Sequence, residues 1–99
     1  MKNPKFELEQ RVKLKSRKEL ARLRHNPPDN YNILTIEMTK LGEGTGKISS
    51  FRWNEIEEAW TYHIDFDSAN PGYAGVYSWN EWAIEDDSIK EKIKMLSEI

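Results

Sequence analysis

The sequence contains no cysteine, which excludes a disulfide framework, a thiolate metal site and a thiol nucleophile, and which suits a reducing cytoplasm. No apolar run approaches the length of a membrane-spanning helix, and residues 1–15 carry a charge every second or third position instead of the apolar stretch of a signal peptide. The expectation is a cytoplasmic protein without membrane contact. Glycine is scarce, and three of the five fall in "GEGTG" at 42–46. A phosphate-binding glycine loop follows a strand and opens a helix, whereas this one follows helical spacing and opens a strand, so it reads as a tight turn. No cofactor and no metal are expected.

Apolar residues are also few, at 37% against 32% charged, so a core in 99 residues must draw on its aromatics, which bury the most area per side chain. One domain spanning 1–99 is expected. Charge is distributed unevenly. Residues 1–25 hold nine Lys/Arg against three Glu, a balance of +6, while 26–99 hold six against fourteen, a balance of −8. Such asymmetry marks either a basic docking face or two parts of one fold that attract each other.

Phe6, Leu8, Val12 and Leu14 alternate with charged residues at the period of a half-buried strand, with polar Gln10 interrupting the face and predicting a bend. Ser16 followed by Glu19 is a capping-box pattern that opens a short helix with Leu20 and Leu23 inward, ended by Pro27-Pro28. "YNILTIEMTKLGEG" fits either period, and Thr35 as cap with Gly42 as stop favours a short helix. "KISSFRW" reads as a strand and "NEIEE" as a polar connection. "AWTYHIDF" is the central strand, with Trp60, Tyr62, Ile64 and Phe66 on one face and Thr61, His63 and Asp65 on the other. "DSANPGYAG" is a loop turning at Pro71-Gly72, "VYSW" and "AIE" resume the sheet around a tight turn, and Ser88 with Glu91 opens an amphipathic helix over 88–98.

The fragments "RVKLKSRKEL", "TIEMTKLGEGTGKI", "YHIDF" and "YSWNEWAIE" resemble those of small bacterial and phage proteins that carry an SH3-like barrel. The resemblance covers about residues 6–85. It implies a mainly β, α+β fold: a five-stranded SH3-like barrel or bent sheet with a helical insertion after the first strand. It implies no catalytic residues. The chain departs from the pattern in its longer "SFRWNEIEEAW" connection and its long "DSANPGYAG" loop, where a function particular to it would sit.

Three groups of residues are candidates for function. Thr61, His63, Asp65 and Asp67 form a comb on the outward face of the central strand, suited to a metal or a base with its orienting carboxylate but read as a solvated face. Arg17, Lys18, Arg22 and Arg24, with Lys13 and Lys15 nearby, form a basic helix that suits phosphates, although the acidic remainder opposes such contact. Trp60, Tyr62, Phe66 and Trp79 are expected in the core. Trp53, Tyr73 and Trp82 sit in or beside loops and are the expected partner-contact residues. The function expected is a non-enzymatic protein-binding module, in specific form a phage-encoded inhibitor of a host enzyme or defence system. The alternative is a nucleic-acid-associated accessory protein acting through the basic helix.

Overall fold

A computed structural model describes residues 2–28, 34–67 and 77–88. The alternation around Val12 and Leu14 becomes strand β1, Arg11–Leu14, with both apolar residues fully buried and both cations half-exposed on the opposite side. The alternation does not extend back to Phe6 as a strand. Glu9 adopts a left-handed φ of 67°, the Gln10 side chain accepts the Glu7 amide at 2.9 Å, and the chain turns there. Phe6 is therefore buried while Leu8, expected on the same face, is 57% exposed. The bend predicted at Gln10 lies one residue earlier.

Both expected caps form. The Ser16 hydroxyl accepts the Glu19 amide at 3.1 Å and opens α1, Arg17–His25, which buries Leu20 and Leu23. The Glu19 carboxylate, which would complete a capping box, instead pairs with Arg22 one turn on. The Thr35 hydroxyl accepts the Met38 amide at 3.1 Å, so the ambiguous segment is helical, as α2, Ile36–Thr39.

The long strand β2, Thr45–Asn54, and β3, Ala59–Phe66, form a hairpin. Its register shifts at an irregularity between Ile48 and Ser50, as at a β-bulge. Two short strands follow: β4, Trp79–Asn80, and β5, Ile84–Asp86, joined by the 3-10 turn Glu81–Ala83. Of the strand expected over "VYSW", Val76 lies outside the described residues, and among residues 77–79 only Trp79 is in a strand, which continues to Asn80. The strand order is β4-β3-β2-β1-β5, every neighbouring pair antiparallel, in an open sheet with β4 and β5 at its edges. Among the described residues the fold is mainly β with two short helices. The terminal helix expected over 88–98 lies, beyond Ser88, outside the described residues.

The core gathers Val12, Leu14, Ile48, Tyr62, Ile64, Trp79 and Ile84 from one face of the sheet under Leu20, Leu23 and Met38 of the helices. Of the four rings expected there, Tyr62 and Trp79 are fully buried, whereas Trp60 and Phe66 are only half-buried against the margin.

Candidate functional site

Strand β1 covers only the first part of β2, pairing at Thr45, Gly46 and Lys47, so among the described residues 49–54 pair with β3 alone. On this side the hairpin's outer half extends past β1, while on the other side β4 still pairs with β3 at Thr61 and Tyr62. Phe51 lies opposite Tyr62 and Trp53 opposite Trp60, and alternation puts all four rings on the core side of the strand pair. Phe51 and Trp60 meet edge to face with centroids 5.2 Å apart, as do Trp53 and Trp60 at 5.5 Å, while Phe51 is tilted against Tyr62 at 6.1 Å. The row runs from buried Tyr62 to the half-exposed pair Trp53 and Trp60.

The N-terminal segment is tied to this row by hydrogen bonds. The Trp60 indole N–H donates to the Lys2 carbonyl at 2.7 Å. The Tyr62 hydroxyl accepts the Lys5 amide at 3.0 Å and donates to Glu81 Oε1 at 2.6 Å. Burial, reinforced by the hydrogen bond to Glu81, pushes the Tyr62 phenol well above its ordinary range.

The opposite face of the hairpin is polar. His63 sits between two hydroxyls, with Ser50 Oγ 3.2 Å from Nδ1 and Ser78 Oγ 3.3 Å from Nε2. The expected comb does share this face, but its members have separate partners. Asp67 is gripped by the Arg11 guanidinium and accepts from Thr45 at 2.8 Å, and these bonds hold its carboxyl down at about 2. Asp65 is exposed opposite Lys47. Among the described residues, no three His, Asp or Glu converge as a metal site, and no carboxylate orients the His63 ring.

A groove of about 500 Å³ lies between the connecting loop at 54–57 and Arg52, Thr61, His63 and Ser78, with Trp53 contributing to its wall. The loop is shaped locally. Asn54 Oδ1 accepts the amides of Ile56 at 2.9 Å and Glu57 at 3.0 Å, and Glu58 takes a left-handed φ of 53° before β3 begins. This turn leaves Ile56 89% exposed.

Of the expected contact residues, Trp53 stands in this hairpin. Trp82 lies in the 3-10 turn, half-buried against the core, and Tyr73 falls outside the described residues. The basic helix is less uniform than its sequence. Arg17 and Lys18 are exposed, Arg22 is paired with Glu19, and Arg24 is half-buried with Nη2 3.0 Å from His25 Nε2. Sequence reasoning did not single out Ile56 or Arg52, nor the serines beside His63. Period-two alternation already turned His63 outward, but aligning Ser50 with it needs the register shift at Ile48, which sequence does not reveal. In comparison with known proteins, the chain matches no family model, no curated protein and no solved structure.

Proposed function

We propose that this chain is a non-enzymatic protein-binding module and that its partner rests on the outer half of the β2–β3 hairpin. The observation carrying this reading is Ile56, 89% exposed at the hairpin tip, on the same projecting element as the half-exposed pair Trp53 and Trp60. Aliphatic and indole surface held in water by a shaped turn is favourable to bury, and tryptophans are frequent anchors of an interface. The SH3-like barrel reading is supported by the strand order and by the 3-10 turn placed immediately before β5. A phage-encoded inhibitor of a host enzyme or defence system is a specific form of this reading, suggested by the resemblance to phage proteins.

The double change Trp53→Ala with Ile56→Ala tests the surface. The melting temperature is expected to fall by only a few degrees, while affinity for the partner captured by the wild-type protein weakens by about 2 kcal/mol or more. Capture and calorimetric titration on both purified proteins measure this, and equal affinity moves the surface elsewhere. The nucleic-acid reading keeps one supporting observation: Arg17 and Lys18 are exposed and join no ion pair among the described residues.

A further inference from the structure

Strand β2 has an edge that no strand among the described residues covers. Ile48 is the last residue bonded on the β1 side, its amide donating to the Gln10 carbonyl at 3.1 Å and its carbonyl accepting the Glu9 amide at 2.8 Å. Beyond it, no main-chain group among the described residues bonds to that side of β2. The Arg52 carbonyl faces β3, where the Thr61 hydroxyl reaches it at 3.5 Å. In an antiparallel ladder successive residues alternate their main-chain groups between the two sides, so the N–H and C=O of Phe51 and Trp53 point outward from the sheet. An uncovered row of this kind is a template for another strand, and proteins commonly blunt it with lysine or proline. Residues 49–54 contain neither, although the irregularity between Ile48 and Ser50 lies at one end of the edge and Arg52 places a charge on it.

We infer that an extended segment of the partner adds to this edge as a further strand, beside Phe51 and Trp53. This rests on the reading of the chain as a protein-binding module and specifies how binding occurs. The surroundings define the segment's chemistry. Its side chains on the ring side meet Phe51 and Trp53, and two of the exposed aliphatic residues, Leu8 beside Glu9 and Ile56 at the tip, lie toward the two ends of the edge, so that side must be apolar. On the other side stands Arg52, exposed and joined to no carboxylate among the described residues, which selects an acid. The fitting occupant is a chain of about six residues alternating aliphatic with acidic side chains, which spans roughly 20 Å of edge.

An eight-residue peptide of alternating valine and glutamate is the probe. Amide exchange followed by NMR at saturating peptide is expected to slow about tenfold at Phe51 and Trp53, with the other strands unchanged. Arg52→Glu, at a residue with no ion pair among those described, is expected to abolish that protection and to transfer it to a valine–lysine peptide. Unchanged exchange at both amides, or protection indifferent to the charge swap, overturns the inference. So does protection without peptide in a protein that sediments as a dimer, since a second copy then fills the edge. A captured partner that depends on Trp53 and Ile56 yet leaves both amides unprotected overturns strand addition and leaves the binding surface standing. Loss of that dependence with the amides protected removes the broader surface and retains the edge.

Discussion

Tyr62 performs two tasks with one side chain. Its ring fills the core with no exposure, against Phe6 at 5.4 Å, and its hydroxyl joins the N-terminal segment to Glu81. Tyr62→Phe keeps the ring but leaves the Lys5 amide and the Glu81 carboxylate without this partner, an expected loss of about 1–3 kcal/mol in denaturant unfolding. Amide exchange at Phe6 should accelerate in the same variant. Because the folded phenol is raised above its ordinary value of 10.0, the unfolded chain loses that proton first, so this contribution is present below pH 10 and declines above it. Asp67 behaves in the opposite sense. Its carboxyl, ordinarily at 3.8, is held at about 2 by Arg11 and Thr45, so its contribution is present above pH 3.8 and disappears as pH falls toward 2. Solvent screening keeps that contribution under about 1 kcal/mol. Asp67→Asn should flatten the stability curve over that window in acid titrations followed by circular dichroism.

At the scale of elements, the hairpin contrasts a buried inner half with an exposed outer one. Trp79, paired across from Tyr62 and fully buried, should cost roughly 3–5 kcal/mol when changed to alanine, while half-buried Trp60 should cost about half as much. Thermal melts of the two variants check the order, and equal losses would place both rings in the core. The inner half also has a backbone constraint at Gly46, where an added Cβ would lie 2.3 Å from the Asp65 carbonyl oxygen of β3. The two strands approach too closely there for any side chain. The caps of α1 and α2 were legible in sequence because donor and acceptor lie three residues apart. The turn at Glu9 was not, since glutamate has no preference for a left-handed φ and is held there by the Gln10 side chain and by the bonds to Ile48.

For the whole molecule, the charge division becomes contacts within one fold. Lys13 of β1 lies 3.8 Å from Glu85 of β5, and Arg11 holds Asp67 beyond the end of β3. Part of the N-terminal positive charge is therefore neutralised at home. Binding to duplex or single-stranded nucleic acid at physiological salt is accordingly expected to be negligible in fluorescence anisotropy, and Arg17→Ala with Lys18→Ala is expected to change nothing. Tight binding that collapses with added salt and with those two changes would favour the basic helix over the hairpin.

Alone, the sequence determined the features that depend on near neighbours or on the period of a single strand. These are the caps at Ser16 and Thr35, the inward faces of α1 and β3, the polar connection after Asn54 and the mainly β composition. The tertiary structure decided which strands pair, and where pairing stops. Register follows from the packing of Tyr62, Ile64 and Trp79 against residues distant in the chain, and the irregularity after Ile48 shifts every later pair by one residue. That shift brings Ser50 to His63 and Trp53 to Trp60. Because β1 begins only at Arg11, opposite Lys47, the edge of β2 beside them pairs with no strand among the described residues. Such placements depend on long-range packing, because residues far apart in the chain meet only when the whole sheet has formed.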